Sequence, residues 1–221
     1  MPDIFEEIRN PKDRRYKYPF NACTDCGPRF TVIESVPYDR VRTSMDEFPL
    51  CDDCLVEYKE PLNRRYHGEA ICCNDCGPQM EIYDKNSLIE CENPIKKGAE
   101  ILKDGKILAI KGIGGTHLVV DAYNDEAIKE LRLRLNRPNQ AFAVMSSDLK
   151  SVQRYAELSE NEIKTISSNK RPIVILKKNK NYNFPESLSP GLHNIGVMLP
   201  YSPMHYLLFD EGEIDTYVMT S

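Results

Sequence analysis

Residues 51–78 read CDDCLVEYKEPLNRRYHGEAICCNDCGP. Two CxxC pairs, Cys51/Cys54 and Cys73/Cys76, stand eighteen residues apart in this stretch. Each CxxC turn sets two sulfurs on one side of a metal, so the two pairs can close a tetrahedron around one zinc ion. Four thiolates leave no coordination position for water, so the expected zinc is structural rather than catalytic. A thioredoxin-like redox role would place a βαβ pattern around the pair, and none surrounds either one.

The stretch has an earlier copy. PKDRRYKYPFNACTDCGP from Pro11 and PLNRRYHGEAICCNDCGP from Pro61 share Pro, Arg-Arg-Tyr and C-x-D-CGP at a constant offset of fifty residues, and Glu7 falls on Glu57. The first copy has Met1 and Ile4 where the second has Cys51 and Cys54. Cys23 and Cys26 therefore supply two ligands. They complete a site only by borrowing Cys51/Cys54, which would strip partners from Cys73/Cys76. A complete second site and an incomplete first one is the reading the residues favour, with the incomplete one expected to be disordered or unstable by itself. Gly27 and Gly77 after the second cysteine of each knuckle permit positive φ, and Pro28 and Pro78 stiffen the exit. Cys72 reads as a ligand's neighbour and Cys91 as an incidental thiol.

At 221 residues and 41% hydrophobic content, the chain suits one large domain or two small ones with a packed core after residue 95. A net charge of −5 argues against a dominant nucleic-acid footprint. Arg14, Arg15, Arg29, Arg64 and Arg65 could meet phosphates, but a solvated or packing face on a metal module is the simpler reading. No apolar run reaches the length of a membrane span, and MPDIFEEIRNPKDRRY lacks an apolar signal segment, so the chain reads as cytoplasmic.

From residue 93 the pattern changes. NPIKKGAEIL has helical spacing closed by Asp104-Gly105. ILAI and HLVVDA read as strands around Lys111-Gly-Ile-Gly-Gly-Thr116. DEAIKELRLRL is helical, AFAVM a buried strand, SDLKSVQRYAEL and SENEIKTISS capped helices, with Ser159 and Glu162 as a capping box. RPIVILKK is a strand that holds Pro172 at its start or edge. IGVMLP, a helix from Pro203 and TYVMTS follow. Alternating strands and helices predict α/β. The glycine cluster lacks P-loop and GxGxxG spacing; alone it is weak evidence for phosphate, and His117 alone reads as a loop residue.

The run CxxCGPRFT, CDDCLxE with RRYH, a second CxxCGP, KGIGGTHLVVDA, LRxRxxRP, FAVM, PIVIL, GVMLPYSPMHYLL and VMTS resembles the HypF carbamoyltransferase family of nickel–iron hydrogenase maturation, from end to end. The resemblance implies an incomplete first zinc finger over 1–29, a second C4 finger with linkers over 30–92, and a YrdC-like α/β domain over 93–221, truncated at its C-terminus. It implies structural Zn²⁺ at Cys51, Cys54, Cys73 and Cys76, with Cys23 and Cys26 as the remnant pair. It implies ATP and carbamoyl phosphate as substrates, a carbamoyl-adenylate product, and a HypE-like partner whose C-terminal cysteine accepts the carbamoyl group. Lys111, Gly112, Gly114, Gly115, His117, Arg137, Thr220 and Ser221 fall on its nucleotide site. This chain departs from the pattern at Leu135, where the family has lysine, and at Gln140-Ala141, where it has Lys-Pro. A lost charge-assisted phosphate contact costs about 2 kcal/mol. The expectations are therefore a piece of a HypF-type enzyme that needs other pieces, an inactive split-gene or degenerate fragment, or a YrdC-like double-stranded RNA-binding module. For the chain alone, inactivity is favoured, and the acidic charge weighs against RNA.

Overall fold

The structure is a computed structural model that describes residues 2–27 and 29–221. The chain divides into two compact units. One comprises Met1–Glu90 with Gly112–Gly115 and Ser202–Leu207; the other comprises Cys91–Lys111, Thr116–Tyr201 and Leu208–Ser221.

The first unit shows the fifty-residue repeat as structure. Helix α1 (Pro2–Arg9) and helix α2 (Asp52–Lys59) begin and end at that offset. The sequence pattern did not announce either helix. Asp52 and Asp53 in the first turn of α2 and Lys59 in its last complement the helix dipole, which is the local signal. Ile4 and Ile8, one turn apart on α1, are fully buried. Ile4 stands at the repeat position of Cys54, so the first copy keeps an apolar anchor where the second has a ligand candidate. The described part of the first copy is folded in company with the second, to which its charges are paired, rather than by itself. A short hairpin of β1 (Tyr83–Asp84) and β2 (Ser87–Leu88) lies towards the end of this unit.

The two copies grip each other reciprocally. Glu57 takes Arg14 at 2.8 Å and Arg15 at 2.5 Å, while Glu7 takes Arg64 at 2.6 Å and Arg65 at 2.5 Å. Arg15 Nε donates to the Cys72 carbonyl at 2.9 Å, and Arg65 Nε to the Ala22 carbonyl at 3.1 Å, again fifty residues apart. Arg15 and Arg65 are 2% and 3% exposed, so these arginines form a packing layer. Removing one partner of such a buried pair costs about 3–5 kcal/mol, because a charge is left dry and unpaired. Burial alone would push the Glu57 carboxyl up, but the hydrogen bond and charge of Arg15, with Arg65 and Arg14, hold it below its usual range. Glu7 is held down likewise against burial by Arg65, Asn21 and Arg64.

The glycines after the two knuckles differ in purpose. Gly27 has φ +71°, as expected, with open space where a Cβ would stand. Gly77 is not among the positive-φ residues. It is required by close packing: a Cβ there would lie 1.9 Å from the Tyr18 hydroxyl and 2.7 Å from the Cys72 Cβ. Tyr18, Met45 and Cys72 form the small core at this point.

The second unit is mixed α/β. Its elements are α3 (Pro94–Lys103), β3 (Leu108–Gly112), β4 (Gly115–Asp121), α4 (Asp125–Leu135), β5 (Ala143–Ser146), α5 (Leu149–Tyr155), α6 (Glu160–Ile166), β6 (Val174–Lys177), β7 (Asn194–Met198), α7 (Pro203–Glu211) and β8 (Thr216–Thr220). Asn93, Asn124, Asp148 and Ser159 cap α3 to α6 with side-chain oxygens, and Ser159 with Glu162 closes the expected capping box. Six strands run in the order β3-β4-β8-β5-β7-β6, with β5 and β7 parallel and β8 antiparallel to both of its neighbours. The last strand in sequence thus lies inside the sheet, between β4 and β5. Val120, Val144, Leu176, Ile195, Val197 and Val218 form the strand side of the main core, met by Ile128, Leu131, Val152, Tyr155 and Ile166 from the helices. Pro172 precedes β6, which is an edge strand and needs no N–H donor there. Among the described residues, no helix is long and apolar enough to cross a membrane.

Two outcomes test this packing. Gly77→Ala should lower stability by about 1–3 kcal/mol through overpacking against the Tyr18 hydroxyl, and Gly27→Ala by about 1–3 kcal/mol through backbone strain alone, since φ +71° with ψ 174° is confined to glycine. Urea midpoints should show Tyr18→Phe recovering part of the first loss and none of the second; equal effects on both would reject the distinction. The Glu7 and Glu57 carboxyls have folded-state pKa values below the ordinary 4.5, so their stabilisation is complete above that pH and fades as pH falls through the depressed values. Acid melts should therefore be less steep in Glu57→Gln, which starts less stable at neutral pH.

Candidate functional site

Cys51 caps the N-terminus of α2 and Cys54 lies in its first turn, so one helix start presents two sulfurs. Cys73 and Cys76 flank a turn closed by Gly77 N–H donating to the Cys73 carbonyl at 2.9 Å, with Asp75 N–H donating to Cys73 Sγ at 3.4 Å. The four sulfurs lie within 4.8 Å of one another. Cys51 to Cys73 and Cys73 to Cys76 are each 3.8 Å. A tetrahedral zinc with Zn–S near 2.3 Å has sulfur–sulfur edges of about 3.8 Å, so this donor set fits the ion. The group is the one cluster of three or more potential ligands found among the described residues.

Positive charge lines one side of the tetrad. Arg14 Nη2 donates to Cys54 Sγ at 3.1 Å and Arg15 Nη2 does so at 3.4 Å, and both arginines also hold Glu57. Burial pushes the Cys54 thiol up; the hydrogen bond from Arg14 and the charges of both arginines oppose it. These arginines are the contacts that sequence reading missed at this site. Their signal was the Arg-Arg-Tyr repeat, which carries no statement of what it touches. Cys72, beside Cys73, lies outside the tetrad and meets the Tyr18 hydroxyl at 3.1 Å, while Cys91 is exposed.

Cys23 and Cys26 stand 4.0 Å apart at the equivalent turn of the first copy. No third potential ligand gathers round them among the described residues. The hydrogen bond from Cys26, against burial and with the Asp25 and Cys26 backbone amides, holds the Cys23 thiol down at about 6. The same bond, with burial, pushes Cys26 up.

In the second unit, Arg137 follows the left-handed cap of α4 at Asn136, which has φ +50°. Its Nη1 donates to Thr220 Oγ1 at 3.0 Å and its Nη2 to the Ser221 carbonyl at 3.2 Å. Three sequence-selected residues separated by 83 and 84 positions thus meet. His117 is half-buried, with Nε2 3.2 Å from the Tyr201 hydroxyl, and burial pulls its pKa down, so the ring is neutral at pH 7. Lys111 is exposed. Gly112, Gly114 and Gly115 group with the first unit, where Gly115 has φ +128° and a Cβ on Gly112 would meet Met204 Cε at 3.0 Å. Leu135 packs against the main core, which explains how a lysine position can carry an apolar residue. Sequence reading also missed Arg132. This buried arginine donates to the carbonyls of Ser187, Arg137, Gln140 and Leu188 at 2.6–3.2 Å and stacks over Phe142, and so anchors the segment that carries Arg137.

Comparison with known proteins agrees with both units. The HypF finger family matches residues 5–33 and 50–83, and the Sua5–YciO–YrdC family, described as telomere recombination, matches residues 100–221. The probable carbamoyltransferase HypF of Methanocaldococcus jannaschii is 51% identical over 99% of this chain. The chain spans 28% of that relative's length. The crystal structure of T. kodakarensis HypF superposes with a TM-score of 0.96 at 48% identity, over 100% of this chain and 29% of that one. A full-length HypF in a phosphate- and nucleotide-bound form superposes at 0.92 with 47% identity, over 100% and 29%. With a finger region, a YrdC-like sheet and this likeness from end to end, the chain belongs to the HypF family.

Proposed function

We propose that this chain supplies the zinc-finger and nucleotide-handling portion of a HypF-type carbamoyltransferase. In this reading Cys51, Cys54, Cys73 and Cys76 hold one Zn²⁺, which closes the finger and takes no part in chemistry. Arg14 and Arg15 offset the negative charge that four thiolates leave on a divalent ion, and Glu57 fixes both arginines. The observation that supports the metal reading is the sulfur–sulfur spacing of 3.8 Å.

For the second unit, the supporting observation is the convergence of Arg137 with Thr220 and Ser221. A guanidinium carries five N–H donors, and the contacts to Thr220 and Ser221 aim its plane while leaving others for an anion. Arg137 would face the phosphates of ATP, with neutral His117 contributing a hydrogen bond rather than charge. Carbamoyl phosphate and water would give carbamate and phosphate, carbamate and ATP would give a carbamoyl-adenylate and pyrophosphate, and the carbamoyl group would pass to the C-terminal cysteine of a HypE-like partner with release of AMP. Displacing pyrophosphate demands fixed positive charge and oriented donors. Leu135, Gln140 and Ala141 reduce that charge, so the site of this chain binds nucleotide more weakly than a site with both lysines, and the chain alone does not complete the reaction.

Metal analysis of the purified protein should find about one zinc per chain. Cys51→Ser should lose it, and Arg14→Ala should weaken retention against a chelator about 10-fold or more. Unchanged zinc in Cys51→Ser would remove the assignment. Calorimetry should show ATP binding that falls about 10-fold or more in Arg137→Ala. Carbamoyl-phosphate-dependent ATP–pyrophosphate exchange should be undetectable with the chain alone; exchange at a measurable rate would show that the missing lysines are dispensable.

A further inference from the structure

The first copy keeps a CxxC turn whose metal partners are gone. Ile4, fully buried, occupies the position of Cys54, and no third potential ligand approaches Cys23 and Cys26 among the described residues. The turn itself is intact. Cys26 N–H donates to the Cys23 carbonyl at 3.1 Å and Gly27 N–H to the Thr24 carbonyl at 2.9 Å. Thr24 is tied to the second copy by its N–H and hydroxyl, both donating to the Arg64 carbonyl. The backbone therefore holds the two thiols 4.0 Å apart without help from a metal. Cys26 is half-buried, and Cys23, itself buried, lines a cavity of about 170 Å³ together with Gly27, Tyr38, His67 and Glu69. The cavity gives a small molecule a route to the Cys23 side of the pair.

We propose that Cys23 and Cys26 form a reversible dithiol–disulfide site whose reactant is a low-molecular-weight disulfide. Cys23, which borders the cavity, attacks as thiolate one sulfur of the reagent, the reagent's disulfide bond breaks, and one thiol leaves with the proton that Cys23 gave up. Cys26 then attacks Cys23 Sγ, the mixed disulfide breaks, and the second thiol leaves with the proton of Cys26. Two protein thiols are oxidised and one small disulfide is reduced to two thiols. Closing the bond brings the sulfurs from 4.0 Å to about 2.05 Å, which side-chain rotation within an already formed turn can deliver. A covalent staple then closes the first knuckle where a metal would close the second.

The test equilibrates the whole chain, as purified, with oxidised and reduced glutathione in graded ratios, followed by alkylation and peptide mass mapping. A Cys23–Cys26 disulfide should appear as the ratio becomes oxidising and vanish on adding dithiothreitol. In a Cys91→Ser background, which removes the exposed incidental thiol, Cys26→Ser should trap a glutathione adduct on Cys23. Failure to find the disulfide at any ratio would overturn the proposal. So would two zinc equivalents per chain that fall to one in Cys23→Ser, because the pair would then be a metal site.

Discussion

The carboxylate of Glu57 is the fixed point of the finger region. It draws Arg14 and Arg15 out of solvent, and the same two guanidiniums then reach Cys54. One acidic side chain on the second copy thereby controls the charge beside the sulfur tetrad and ties the first copy to it. Glu7 repeats the arrangement with Arg64 and Arg65, so the short ion pairs of each copy's arginines run to the other copy, with a longer 3.9 Å contact from Arg65 to Glu57 within the second. Buried guanidiniums without carboxylates would cost several kcal/mol each, which makes this exchange obligatory for the folded state.

Equivalent positions of the repeat serve different ends. Cys54 accepts from two arginines, while Ile4 at the matching place is a buried apolar anchor on α1. Gly77 is held by the Tyr18 hydroxyl and Cys72, while Gly27 serves a left-handed turn with nothing above it. The loss of two ligand positions did not cost the first copy its fold, because its helix is anchored by Ile4 and Ile8 and its arginines are neutralised by the other copy. A CxxC turn left in such a scaffold keeps its sulfur spacing, since backbone hydrogen bonds set that spacing.

In the α/β unit a buried arginine again does positional work, but through carbonyls. Arg132 collects backbone oxygens from the loop after α4 and from the distant Ser187 segment, and stacks on Phe142. The Arg137 carbonyl is one of them, so the backbone that carries Arg137 is fixed from beneath while its side chain is aimed by Thr220 and Ser221. Placing β8 in the middle of the sheet brings the last residues of the chain to that point. The apolar Leu135 packs against the core, so it fits the helix without disturbing it.

The strands and helices after residue 93 were legible because their periodicity, caps and prolines are local properties: Asn93, Asn124, Ser159 with Glu162, and Pro172 act on residues within one turn or one strand. The sulfur tetrad was legible because two CxxC turns at finger spacing have few other uses. The two short helices α1 and α2 were not, since eight residues carry little periodic signal. Nor did the sequence reveal where the Arg-Arg pairs go, why Gly77 is glycine, or that Arg132 holds the Arg137 segment. Each depends on atoms some forty to sixty residues away, or on the other side of a loop, and contact over that distance is chosen by packing. Sequence alone determined the element types after residue 93 and the grouping of the four CxxC sulfurs; tertiary structure decided which charges meet, because a buried ion pair forms only where the fold removes water from both partners at once.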